Sequence, residues 1–285
     1  MNRKFSDRVG ITVPPPVLLD NIGPPLRNSL WNLILSAIFA GQDANQVSRV
    51  KFICERFLKL PYDTVPEFGY KCQEWLKLIY YDKSFTWWKI YNLIEFIASN
   101  PDIITSSYQH NKFVAEANRI LEEESAGYRF VGGFLTPISN KEEIKSIEES
   151  ISTARARNLV GTSLHFETAI ELLAKKPQPD YRNSIKESIS GIESLVKQIT
   201  GEQGSSLDKA LTKLDAQVKF HGAFKAGLLS LYGYTSDEDG IRHGILEERE
   251  VGFDEAKFML VACSALVNFI ISKASKHGFL SDSTS

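Results

Sequence analysis

In residues 26–40, LRNSLWNLILSAIFA, the apolar side chains Leu26, Leu30, Leu33, Ile34 and Ala37 recur at three- and four-residue spacing. Only a helix puts such positions on one face, so the pattern predicts an amphipathic helix with a buried stripe. The same reading gives helices near 46–59, 70–81, 86–99 and 111–124. Trp31, Trp75, Trp87 and Trp88 fall in these segments, and large rings at helical spacing are expected in a packed core, with an aromatic-lined groove as the alternative. Ahead of them, VPPPVLLDNIGPP (13–25) is studded with prolines, which fix φ and lack a backbone donor, and is expected to be an extended arm.

The helical rhythm breaks at YRFVGGFLTPI, 128–138, where two short β-favouring runs flank Gly132 and Gly133. Paired glycines supply the positive φ of a two-residue turn, so an isolated hairpin is predicted. Ser139 and Glu142 then have capping-box spacing, predicting a helix over 140–157, and a further helix covers 162–175. The prolines of KKPQPD mark the second boundary. Beyond it, Tyr181, Ile185, Ile189, Ile192, Val196 and Ile199 form a stripe that requires a helix. GEQGSS interrupts that helix. Later helices are predicted from SLDKALTKLD, over 220–231, and over 253–275. The last is apolar around most of its circumference and is expected to lie centrally in a bundle or against a second subunit. The fold class is therefore mainly α. A helical N-terminal domain over 1–140 carries the hairpin, 141–179 holds connecting helices, and 180–285 forms a helical bundle.

Charge narrows the chemistry. Residues 1–140 hold 15 Lys plus Arg against 14 Asp plus Glu, and 141–285 hold 18 against 21. Neither half is a basic module, so binding to nucleic acid through bulk charge is not expected and any phosphate site must be local. Cys54, Cys72 and Cys263 are widely spaced and show no metal-ligand pattern. No metal and no cofactor are expected. The start lacks the apolar run of a signal peptide, and the longest apolar run, 258–271, is shorter than a bilayer span and contains Asn268. A cytoplasmic protein with no membrane partner is the expectation.

Several strings in fixed order carry a family resemblance. FSDRVG, LRNSLWNLI and YRFVGGFLTPIS resemble the N-terminal domain of AbiJ-like abortive-infection proteins of bacteria. PDYRNSIKESISGIES, SLDKALTKL and YGYTSDEDGIRHG resemble the HEPN-type helical domain that accompanies it. The resemblance implies a HEPN-like bundle that pairs as a homodimer with a polar cleft at the seam. It also implies phage defence and, in nuclease members, metal-independent RNA cleavage by an Arg followed one to two helical turns later by a His. This chain departs from that spacing, because Arg242 and His243 are adjacent.

Around that pair, Thr235 and Glu238 have capping-box spacing, while Glu238 precedes Arg242 and Asp239 precedes His243 by four residues. Read plainly, this is a capped helix start with exposed ion pairs, each contributing about 0.2–0.5 kcal/mol. Read as chemistry, a carboxylate one turn before a histidine orients the ring for proton transfer, and Arg242 stabilises charge on a phosphate. Neighbouring helical residues point about 100° apart, so Arg242 of one protomer and His243 of another would share the cleft. Glu187 and Glu193 are secondary candidates for binding or orienting Arg242; His165 in SLHFETAIELL reads as an ordinary histidine. The expected activity is a metal-independent endoribonuclease. The alternative is an inactive HEPN-like module binding a nucleotide, RNA or protein partner, and a phage-derived trigger is expected for either.

Overall fold

The structure is a computed structural model that describes residues 21–40, 45–105, 110–175, 178–236 and 251–280. Most of the proline-rich arm, and Glu238, Asp239, Arg242 and His243, lie outside the described residues. The chain forms two compact units, 1–139 and 140–285. Eleven α-helices and one hairpin make up the described residues, so the fold is mainly α.

The first unit contains α1 (Pro24–Ile38), α2 (Gln46–Ile53), α3 (Gly69–Tyr81), α4 (Trp87–Ser99) and α5 (His110–Glu123). The predicted stripe of α1 is buried, and its neighbours in the core include Ile53, Leu76, Ile94 and Phe113. Trp31 is in that core, Trp75 and Trp87 pack against it, and Trp88 is exposed. Arg27 ties α1 to the end of α3. Its guanidinium donates to the carbonyls of Tyr80, Asp82 and Phe85 and lies over the Tyr80 and Tyr81 rings, while the Tyr80 hydroxyl donates to Arg27 O at 2.8 Å. The helix predicted over 46–59 changes character midway, since α2 passes into a π-helical turn at Cys54–Leu58 and closes on Lys59 with φ 57°. Hydrophobic periodicity does not register that one-residue widening.

The hairpin joins β1 (Arg129–Val131) to β2 (Phe134–Thr136), with Gly132 and Gly133 at φ 58° and 94°. Both glycines take the left-handed conformation that a two-residue turn demands. A lone pair of strands leaves backbone edges open, and helix side chains close part of them. Asn118 of α5 accepts from Phe130 N at 2.7 Å and donates to Phe130 O at 3.1 Å, and Glu95 of α4 accepts from Leu135 N at 2.8 Å.

The second unit contains α6 (Lys141–Ala156), α7 (Val160–Ala174), α8 (Tyr181–Thr200), α9 (Leu207–Val218), α10 (Gly222–Ser236) and α11 (Phe253–Lys276). Helix α8 packs against α7, α9, α10 and α11, and α11 also packs against α6 and α7. The helices predicted as connectors thus sit inside this unit. One cap differs from expectation. Asn140, not Ser139, starts α6, because its Oδ1 accepts from both Glu142 N and Glu143 N. Thr235 lies within the last turn of α10, which outruns its predicted end, and Glu238, its partner in the expected capping box, lies outside the described residues. Helix α11 is long and apolar enough to cross a membrane by length and composition, yet Met259, Leu260, Cys263, Val267, Ile270 and Ile271 are buried in the bundle.

Candidate functional site

Helices α7 and α8 run antiparallel, with Ala169 O accepting from Ser184 Oγ at 2.7 Å and Leu172 O from Asp180 N at 2.9 Å. Glycine makes the approach close. A Cβ on Gly191 would come within 2.6 Å of the buried Phe166 ring, and one on Gly161 would strike the Ser194 hydroxyl. Closely spaced helices bring short and medium side chains of the two faces into hydrogen-bonding range.

At this seam His165 of α7 meets Glu187 of α8, with Nδ1 and Oε2 2.6 Å apart. A carboxylate can only accept, so Nδ1 carries the hydrogen and, in the neutral ring, Nε2 is the basic nitrogen. The pair is neither buried nor loose: the side chains are 35% and 29% exposed. A histidine whose tautomer is set by a carboxylate, with its ring reachable from solvent, is equipped to take and return a proton. Two residues further on α7, and so about 200° round the helix, Glu167 receives the Arg155 guanidinium of α6 at 2.9–3.0 Å on a different face.

The structure separates the sequence candidates. Glu187 is joined to His165, while Glu193 bonds Lys197 of its own helix at 2.7 Å. Six positions apart on one helix, the two glutamates point in different directions. Arg242, His243, Asp239 and Glu238 lie outside the described residues, so no distance joins them to this pair. Sequence reading missed His165 as a partner because 22 residues separate it from Glu187. The only available signal was the register of the α7–α8 hairpin, set by the glycines.

These features define a two-unit helical protein with a carboxylate-held histidine on its second unit. Residues 3–153 match the family described as AbiJ N-terminal domain 4, and the chain belongs to that family. It is thereby an abortive-infection protein of phage defence. No curated protein and no solved structure matches the chain.

Proposed function

We propose that the second unit is a HEPN-type bundle acting as a metal-independent endoribonuclease in the cytoplasm, at a cleft shared by two copies of the chain and released by a phage-derived trigger. The observation that supports this reading is the Glu187-held His165 on an accessible helix seam. His165 Nε2 takes the proton of a ribose 2′-OH, O2′ attacks the adjacent phosphorus, and the bond from phosphorus to O5′ breaks. The leaving oxygen collects a proton from an acid, a role assigned to His243 with Asp239 beside it in sequence. Arg242 offsets the charge that grows on the phosphate.

The test is incubation of purified protein with a mixed RNA pool in EDTA, followed by analysis of product ends. Wild type is expected to leave 2′,3′-cyclic phosphates. His165→Ala and His243→Ala are each expected to lose about 100-fold or more in rate. Glu187→Gln, which still accepts from Nδ1, is expected to lower kcat while KM holds. Cleavage by His165→Ala at the wild-type rate would remove His165 from the mechanism.

A further inference from the structure

Helix α3 is apolar on two sides. Cys72, Leu76 and Tyr80 are buried in the core of the first unit, as an amphipathic helix requires. The opposite side holds Tyr70, Glu74, Lys77, Leu78 and Tyr81, which helical spacing puts on one face. A solvent face is expected to be polar, yet Tyr70 is 64% exposed, Leu78 76% and Tyr81 37%. Phe68, just ahead of the helix, adds a ring that is 58% exposed and 6.2 Å from that of Tyr70. Single exposed apolar side chains are ordinary, but four aligned along one helix form a patch of the kind that binds something. At the C-terminal end of α3 this face opens into a cleft of about 660 Å³ lined by Glu74, Lys77, Leu78, Tyr81 and Asp82.

The cleft adjoins the point at which the N-terminal segment enters α1. Helices α1 and α3 run antiparallel. At one end Arg27 donates to the carbonyls of Tyr80, Asp82 and Phe85. At the other, Gln46 donates to Phe39 O at 3.2 Å just past α1, and the same side chain leaves no room for a Cβ on Gly69. The Tyr81 hydroxyl donates to Asn28 Oδ1 at 2.8 Å, and its ring lies against the Arg27 guanidinium and edge-on to Trp31. The first two turns of α1 therefore fix the wall of the cleft. Directly ahead of α1, Ile22 packs against the core and Gly23 has φ −69° and ψ 162°, close to polyproline II values.

We propose that residues 13–20 of the same chain, VPPPVLLD, seat along this outer face of α3. Every residue from Val13 to Leu19 is apolar, so the segment has no polar side to turn to water. Proline runs preform the polyproline II helix, and such segments dock on aromatic surfaces because little entropy is lost on ordering them. Asp20 and Asn21, both turn formers, stand where the chain must reverse before Ile22 is anchored. The length fits as well. Pro14–Pro16 lie seven to nine residues ahead of Gly23, about 22–28 Å at the polyproline II rise, and Tyr81 to Tyr70 is about 17 Å of helix. Leu18 and Leu19 then cover Leu78, and the prolines reach Tyr70 and Phe68. Glu74 and Asp82 beside Lys77 give the face both signs of charge, which disfavours a polyanion. A tethered segment needs only a short loop to close, whereas a separate molecule must lose its translational and rotational freedom.

The experiment replaces Leu18 of the full chain with photoreactive benzoylphenylalanine and maps the cross-links by mass spectrometry. Cross-links to residues 68–82 of the same chain are expected, at a yield independent of protein concentration. The double variant Tyr70→Lys/Leu78→Lys changes two exposed side chains and leaves the core contacts of α3 intact. It removes two apolar anchors, each worth about tenfold in a docking equilibrium, and is expected to cut the yield about threefold or more. Its circular dichroism spectrum is expected to match that of wild type. Cross-links to the same residues of a second chain, rising with concentration, would overturn the assignment and make the face a seam between copies. Cross-links elsewhere, no cross-links, or a yield unchanged in the double variant would overturn it outright.

Discussion

The three cysteines of the chain are all buried, and burial pushes each thiol up from its ordinary value. Thiolate is the reactive form, so the native protein is expected to resist a disulfide reagent at neutral pH and to titrate three thiols only after denaturation. Arg129 is a different buried group. Its guanidinium donates to the carbonyls of Ala126 and Tyr128 at 2.6 and 2.7 Å, and burial pulls its pKa down. Arg129→Met leaves both carbonyls short of a donor and is expected to cost about 1–3 kcal/mol, measurable by denaturant unfolding. Glu116 shows the opposite balance. Hydrogen bonding to Arg119 holds its carboxyl below the ordinary value, at 2.5 Å. A lowered folded pKa stabilises above the unfolded value and is lost as pH falls through the folded one. Arg119→Gln should therefore lower Tm slightly at pH 7 and less in strong acid, with salt shrinking the difference because the pair is exposed.

At the scale of the element, two predictions rest on how helices begin and how they meet. Asn140 caps α6 with one oxygen serving two backbone N–H groups, and Asn140→Ala is expected to destabilise by about 1 kcal/mol in chemical denaturation. Gly191→Ala places a methyl against the Phe166 ring, which is fully buried and has no room to yield. A loss of about 1–3 kcal/mol follows from overpacking. The same variant shifts α7 against α8 and should weaken the His165–Glu187 bond, so the proposed RNA cleavage falls with it. Helix α11 illustrates a limit of composition. It has the length and hydropathy of a membrane span, but Met259, Leu260, Cys263, Val267, Ile270 and Ile271 are buried in a helix that packs on α6, α7 and α8, while Phe258 stays exposed and Phe269 stacks with Phe220 and Phe224 at centroid distances of 6.1 and 4.9 Å.

At the scale of the whole molecule, each of the two units has its own buried residues, and the boundary between them falls at 139/140. The second unit needs α6 and α7, because α8 and α11 bury their stripes against them. Residues 140–285 expressed alone are expected to give a soluble helical protein by circular dichroism. A fragment starting at residue 180 bares apolar surface that α6 and α7 cover, including that of Ile185, Ile189 and Val267, and is expected to aggregate.

Periodicity, glycine pairs and prolines were enough to predict nearly every helix and the hairpin, because those signals are local and a helix or a two-residue turn closes within a few residues. The family, too, was legible in strings of adjacent residues. Contacts between distant positions were not: the His165–Glu187 pair and the Asn118 and Glu95 bonds to the hairpin depend on helix register. Register is set where small residues such as Gly161 and Gly191 let two helices close and large ones such as Phe166 stop them. That balance is a property of packing in three dimensions, and only the tertiary structure decides it.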